Sequence, residues 1–364
     1  MSWKTFFEYA PFVFWTLTCL TFVRRANLRI RHQAWWMMGL LLCFSKFLCF
    51  QEFGGSSFCP ELPTILIWVW DWAYSGAVIL MGLSVLFLFR FRRKAVILPL
   101  LAWGLSAWGL WCGLRVPTVK TVELSFENLP ASLDGYRIVQ LSDLHCSSAA
   151  RRWRTQAIVD TVNALKPDLI CLTGDNVDGY VAWSRDFLAP LGELRAKDGV
   201  LACTGNHEYY FGYHEWRTKF YSQLPNIRFL TNECVLPKSG LAVAGVPDPA
   251  GVQRGLDAVP DVRRAFAAAT NGEFRILLQH QPKWAEENVR EVGVDLQLSG
   301  HTHGGIAPVM RQIVEHHNGG FSRGVYRLGK SILYACSGCG QWPGFPMRFL
   351  TPSEVTLITL RRGI

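Results

Sequence analysis

Tyr136-Arg-Ile-Val-Gln-Leu-Ser-Asp-Leu-His145 sets the fold: an apolar run, Tyr136–Ser142, ends abruptly in two side chains of types able to ligate metals, Asp143 and His145. Short apolar runs bounded by polar or turn residues read as buried strands. The same arrangement recurs downstream. Leu169–Thr173 is followed by Gly174-Asp175-Asn176, and Val200–Thr204 by Gly205-Asn206-His207-Glu208. Ile276–Gln279 is followed by His280, and Leu296–Ser299 by Gly300-His301-Thr302-His303-Gly304-Gly305. Ligand sites in α/β sheets form outside the carboxyl ends of strands. Here five strand ends each carry a potential metal ligand, and five of the nine histidines fall in these positions. One such histidine would read as a packed or surface residue; five motifs in order read as a metal centre.

Outward from these motifs, Val119–Phe126 alternates like a strand and Leu241–Gly245 is another short apolar run. Arg154–Leu165, Arg185–Ala196, Asp257–Ala269 and Pro282–Val292 read as helices between the strands. Alternating strands and helices imply a layered α/β architecture. Mixed Asp, His and Asn ligands suit Mn²⁺, Fe²⁺ or Zn²⁺. Two such ions, about 3.5–4 Å apart, can acidify a shared water and clamp a phosphate.

The series D-x-H, G-D, G-N-H-E, H and G-H-T-H resembles the calcineurin-like metallophosphoesterases over about residues 119–364. Asp134–His145 and the tail Pro346–Leu360 resemble the YkuE/YaeI-like branch, which includes transmembrane proteins with a C-terminal metallophosphoesterase domain. The resemblance implies a four-layer α/β/β/α sandwich with two divalent metal ions at one edge. It implies that Asp143, His145 and His303 hold one ion, that Asn206, His280 and His301 hold the other, and that Asp175 bridges both. His207 matches the histidine that contacts the phosphate and assists the leaving group. Asp178 and Glu208 are expected to orient ligand rings or loops, and Gly304 and Gly305 to let backbone approach the site.

Ile306 stands where this branch often carries Gln, and Ser337-Gly-Cys339-Gly340 where it often has an Arg-containing turn; both are expected to border the substrate pocket. Cys146, after His145, is expected to line it. Cys336-x-x-Cys339 lacks a partner pair and reads as two small residues in a Gly-rich loop. Gly324–Ser331 matches the P-loop pattern by letter, but Ser331 opens a strand rather than a helix, so Leu328–Ser331 reads as a hairpin turn and no ATP is expected.

The first 115 residues differ in kind. Half the 364-residue chain is apolar, but 10 of its 15 Trp lie here, with 11 Lys/Arg against four acids, so most of the net charge of +9 sits in this part. The near-neutral remainder gives no footprint for nucleic acid, and none is expected as partner. Four runs are long enough to cross a bilayer: Thr5–Val23, Ala34–Phe53, Ile65–Phe89 and Ala95–Leu114. The first has no small-residue cleavage site after it, so a cleaved leader is not expected. The loop with Arg24, Arg25, Arg29 and Arg31 and the loop Arg90–Lys94 are basic, while Gly54–Pro63 has no Lys or Arg. The positive-inside rule then puts both basic loops in the cytoplasm and everything after Leu114 outside. Lys46 and Asp71, costly inside hydrocarbon, are expected to pair across adjacent helices.

The expected organisation is a four-helix transmembrane domain over 1–115, a linker over 116–122 and a metallophosphoesterase domain over 123–364, in the cell (inner) membrane with the catalytic domain extracytoplasmic. The expected activity is hydrolysis of phosphomono- or diester or pyrophosphate bonds, with lipid-linked substrates favoured by the anchor. Some relatives of this branch are linked to cleavage of UDP-2,3-diacylglucosamine, a cytoplasmic substrate at odds with an outward-facing domain. The rival readings are a catalytically silent metal-binding membrane sensor and a transport-associated protein.

Overall fold

The computed structural model describes residues 30–43, 45, 59–87, 97–270 and 272–363. They fall into two compact units, one comprising the described residues up to Leu114 with Pro343–Met347, the other Arg115–Trp342 with Arg348 onward.

The first unit holds helices α1 (Ile30–Cys43), α2 (Thr64–Phe87) and α3 (Ile97–Leu114). Gly76 on α2 lies against the Trp103 ring on α3, where any Cβ would collide with the indole. Ser106 Oγ donates to the Trp72 carbonyl at 2.7 Å, and Trp72 Nε1 to the Trp103 carbonyl at 3.0 Å. Small residues and side-chain-to-backbone bonds are what let apolar helices approach closely. Four spanning helices were expected; among the described residues only α3 is both long and apolar enough to cross a membrane, the apolar part of α2, Thr64–Leu80, being shorter. Thr5–Val23 lies outside the described residues, and Ala34–Phe53 is described as helix only to Cys43. Asp71 is buried, but Lys46 lies outside the described residues, as does the pair expected between them.

The second unit is built from two six-stranded sheets. The first contains β1 (Thr118–Phe126), β2 (Arg137–Leu141), β3 (Leu169–Thr173), β4 (Val200–Cys203), β5 (Ile227–Phe229) and β12 (Glu354–Arg362), in the order β1-β12-β2-β3-β4-β5. The second contains β6 (Glu233–Val235), β7 (Leu241–Gly245), β8 (Phe274–Leu278), β9 (Leu296–Ser299), β10 (Gly324–Leu328) and β11 (Ser331–Ala335), in the order β10-β11-β9-β8-β7-β6. Consecutive neighbours run parallel from β2 through β5 in one sheet and across β7, β8, β9 and β11 in the other.

The unbroken apolar runs follow from burial on both faces. In β3, Leu169 and Cys171 face a core shared with Leu241, Val243, Ile276 and Leu298 of the other sheet. Ile170 and Leu172 face the opposite way, toward Ile158, Val159 and Val162 of α4 (Arg152–Ala164) and Val181 and Leu188 of α5 (Val181–Leu188). On the far side of the second sheet, Ala242, Ala244 and Leu277 pack under Val262, Ala265 and Phe266, with Val289 and Val292 of α6 (Ala285–Val292) against them. The unit is thus two sheets face to face, with helices covering both outer surfaces.

The expected strands appear within a residue or two of their places, and Gly329-Lys330 is a two-residue turn joining the antiparallel β10 and β11. Two helices differ. The Arg185–Ala196 helix is displaced upstream: α5 starts at Val181 and gives way to a 3₁₀ stretch, Ala189–Glu193, that begins around Pro190. The Asp257–Ala269 helix shrinks to Val262–Ala265, because Pro260 disfavours helical backbone before it and Asp261 caps the Arg264 N–H at 2.9 Å. The sequence reading had no place for β5, β6, α7 (Pro308–His317) or β12.

Candidate metal centre

The loops after β2, β3, β4, β8 and β9 are tied together by their own backbone. The Asp143 N–H donates to the Gly174 carbonyl at 2.9 Å and the His145 N–H to the Asp175 carbonyl at 3.0 Å. Between sheets, His280 Nδ1 bonds the Thr173 carbonyl at 2.7 Å, and the His301 N–H donates to Asp143 Oδ1 at 3.0 Å. Nine non-glycine residues among those described have positive φ, and five are sequence-derived ligand candidates: Asp143, His145, Asp175, His301 and His303. Such backbone costs on the order of 1–3 kcal/mol per residue and persists only where the surroundings enforce it. Its concentration on these five residues marks the site independently of their side-chain chemistry. Close packing enforces it: a Cβ on Gly300 would overlap Ser142 Oγ and Asp143 Oδ2, and one on Gly205 would overlap Asp175 Oδ1.

The side chains converge in three overlapping groups that could hold a metal ion, Asp143/His145/His303, His145/Asp175/His207 and Asp175/His280/His301, with ligand atoms within 4.8 Å of one another in each. His145 Nε2 and His303 Nε2 are 3.0 Å apart, and His303 Nε2 is 3.5 Å from Asp143 Oδ1. His301 Nδ1 is 3.3 Å from His280 Nε2. Asp175 Oδ2 reaches both sides, lying 3.1 Å from His280 Nε2 and 3.9 Å from His145 Nε2. Asn206 sits at the end of β4 with its Oδ1 buried and unpartnered among the described residues. A buried carbonyl oxygen without a donor is costly, and the ion-pair partners of Asp143 and Asp175 are imidazoles rather than Lys or Arg. An orphaned oxygen, buried carboxylates and facing imidazole nitrogens fit divalent cations.

His207 is set apart. Its Nδ1 is 2.5 Å from Asp178 Oδ1, and its N–H donates to Asp175 Oδ1 at 2.8 Å. Burial alone would lower its pKa, but the charges of Asp178 and Asp175 outweigh burial and lift it to about 9, so the ring is cationic at neutral pH. Burial, reinforced by His280, pushes His301 down to about 3, which keeps that ring neutral with a lone pair to donate.

The calcineurin-like phosphoesterase family model matches residues 136–305. An uncharacterized metallophosphoesterase of Aquifex aeolicus is 33% identical over 251 residues, which cover 67% of this chain and 91% of that protein. The uncharacterized metallophosphoesterase YkuE of Bacillus subtilis is 31% identical over 255 residues, 67% of this chain and 86% of that protein. This chain belongs to the calcineurin-like metallophosphoesterase family. It is also 33% identical over 280 residues to the Danio rerio "Transmembrane protein with metallophosphoesterase domain", covering 74% of this chain but 63% of that protein, so it spans less than two thirds of that relative's length.

The two carboxylates expected beside the ligands of this metallophosphoesterase are placed differently. Asp178 lies between two rings, with Oδ2 2.7 Å from His145 Nδ1 and Oδ1 on His207. Glu208 is buried below the loops and accepts three backbone N–H bonds, from Asp175 (3.0 Å), Asn176 (2.7 Å) and Gly205 (2.7 Å). Truncating it leaves those three buried backbone donors, and the Asn176 side-chain amide, without this acceptor. Glu208→Ala is therefore expected to lose about 3–5 kcal/mol in chemical denaturation, with Glu208→Gln, which keeps one acceptor oxygen, in between.

Cys146, expected to line the pocket, instead points into the core under α4, its Sγ 3.5 Å from Thr155 Oγ1, and burial raises its thiol to about 11. Cys336 and Cys339 are both buried, and Cys339 Sγ bonds the Glu354 carbonyl at 3.1 Å. Ile306 has φ 59°, an outlying conformation for a β-branched residue. One site residue was missed: Arg348, buried with Nη2 3.1 Å from His303 Nδ1. The turn Ser337–Gly340 lacks an arginine of its own, and Arg348 supplies one from beyond it, donating to the Ser337 carbonyl at 2.7 Å and, through Nε, to the Gly340 carbonyl at 3.0 Å.

Proposed function

We propose that this metallophosphoesterase hydrolyses phosphomonoester, phosphodiester or pyrophosphate bonds at a binuclear centre. Asp143, His145 and His303 would hold one divalent ion; Asn206, His280 and His301 would hold the other. The single observation that carries the reading is Asp175, whose Oδ2 lies within reach of imidazoles from both groups. When bound, two such ions supply Lewis-acid neutralisation of phosphoryl charge and a water acid enough to react near neutral pH. The remaining work falls to the chain. Asp178 fixes the His207 ring and keeps it protonated, so His207 can hand a proton to the departing oxygen. Asp178 also fixes His145 through the other carboxylate oxygen, keeping the proton-donating ring and a ligand ring in register.

The test is turnover by the full-length chain, with Mn²⁺ as the supplied ion, on p-nitrophenyl phosphate and bis-p-nitrophenyl phosphate. Activity that a chelator abolishes and Mn²⁺ restores is the expected outcome. A folded chain that retains no divalent ion overturns the reading, whereas ions bound without turnover across substrates favour the silent sensor.

We further propose a membrane domain over 1–115, a linker over 116–122 and a catalytic domain over 123–364. The apolar helix α3, a relative named as a transmembrane protein, and the basic loops of the first 115 residues support membrane attachment with the catalytic domain extracytoplasmic. Attachment favours lipid-linked phosphate esters. Reporter fusions at Ile364 and in the first loop report the sidedness, and activity of a cytoplasm-specific reporter at Ile364 refutes it.

A further inference from the structure

We infer that Arg254, held over Tyr210, grips the departing half of the substrate, so that the site favours phosphate esters whose leaving group carries an oxyanion of its own, a second phosphate or a carboxylate. The inference rests on the proposed binuclear centre with His207 as proton donor, and it narrows the substrate class of that site.

His207 can hand a proton only to an oxygen beside its ring, so the leaving group extends past His207. What stands there is Tyr210, whose ring centroid is 5.1 Å from that of His207. Its hydroxyl has the Asn206 side chain as a hydrogen-bond neighbour, and the residue is 39% exposed, so the ring forms the open lip of the centre. Over its face sits the Arg254 guanidinium, with Cζ 4.5 Å from the centroid. The ring quadrupole attracts a cation placed in this way. Arg254 is thereby kept one ring away from the proton donor.

Buried contacts enforce this placement. The Asp248 N–H donates to Thr204 Oγ1 at 3.2 Å, and Thr204 Oγ1 bonds the Tyr209 hydroxyl at 2.7 Å. The Tyr209 and Tyr213 hydroxyls both donate to Asp257 Oδ2, at 2.8 and 2.5 Å. Gly251 lies against the Tyr209 ring with no room for a Cβ. These contacts tie residues 248–257, including the short helix Pro249–Gln253 that Arg254 ends, to the loop carrying His207 and Tyr210.

Arg254 takes no part in that fastening. Its side chain is exposed and makes no hydrogen bond or ion pair among the described residues. The acids of its own segment are engaged elsewhere: Asp248 accepts from the Ala250 N–H and from Gln281 Nε2, and Asp257 from the two tyrosines and the Ala258 N–H. A guanidinium offers five donors and no acceptor, and its planar fork matches a phosphate or carboxylate. A neutral alkyl or aryl leaving group would leave those donors unused.

The experiment is competition against p-nitrophenyl phosphate turnover by the full-length chain at fixed free Mn²⁺, with two pairs of competitors. Ethyl phosphate and phosphoglycolate differ by a carboxylate on the leaving group; AMP and ADP differ by a phosphate. In at least one pair the charged member is expected to have a Ki about tenfold or more below its partner, the scale of a charge-assisted hydrogen bond. Which pair responds names the oxyanion, and the advantage shrinks as KCl is added. Arg254→Gln brings the members of each pair to within about twofold, while Arg254→Lys, which keeps the charge without the fork, retains part of the advantage. Tyr210→Leu removes the shelf and weakens the advantage; Tyr210→Phe preserves it. Equal Ki values within both pairs in the unaltered chain overturn the inference. So does an advantage that survives Arg254→Gln, which would belong to the ions or to His207. Equal weakening of both members of each pair by Arg254→Gln also overturns it, as the mark of a merely structural arginine. A chain that hydrolyses neither p-nitrophenyl phosphate nor any competitor fails at the hydrolytic reading beneath, and the inference falls with it.

Discussion

Asp175→Asn is expected to reduce bound metal from two ions to one or none and to lower phosphodiester turnover by about a thousandfold or more. The substitution is nearly isosteric, and its side-chain oxygen can still accept the His207 N–H that Asp175 Oδ1 now holds. What is lost is the negative charge between the His145 and His280 rings, which lie 3.9 and 3.1 Å from Oδ2. The loop geometry survives, since Glu208 continues to hold the residue-175 and Gly205 backbone N–H groups. Elemental analysis beside circular dichroism separates this outcome from unfolding. A folded variant that retains two ions and normal turnover would show that residue 175 bridges nothing.

His207→Gln is expected to produce the opposite dissociation: both ions retained, turnover down by about a hundredfold to a thousandfold. His207 engages Asp178 and the Asp175 carboxylate, and its ring stacks edge-on to His145 with centroids 4.7 Å apart. Proton donation matters most when the departing alkoxide is a strong base. The loss should therefore be severe for an alkyl phosphate ester and mild for p-nitrophenyl phosphate, compared through kcat in steady-state assays. Equal losses on both substrates would assign His207 to binding rather than to proton transfer.

The strand-end motifs were legible because each joins a local signal, an apolar run, to a chemical one, a ligand within four residues. Asp143, His145, Asp175, His280, His301 and His303 all carry that double mark, and the structure brings them together. Arg348 carried neither. It lies 45 residues from His303 in a segment with no regular secondary structure, and only three-dimensional closure brings its guanidinium to the His303 ring and the Ser337 carbonyl. Asp257–Ala269 shows the converse failure, helical periodicity overruled by one proline and its capping aspartate. Of the four long apolar runs of the first 115 residues, Ala95–Leu114 coincides with the one qualifying helix among the described residues, while Thr5–Val23 lies outside them.

β12 pairs with β1 along Thr118 to Phe126 and with β2 along Arg137 to Gln140, so the last strand is threaded between the first two. A nascent chain emerging from the ribosome therefore cannot close this sheet until more than two hundred residues after β2 have been synthesised. During that interval β1 and β2 each expose an unpaired edge, the situation in which chaperones are most needed. A frameshift that removes β12 is consequently expected to leave the β1 and β2 edges open and the product aggregating, although no ligand lies within thirty residues of it.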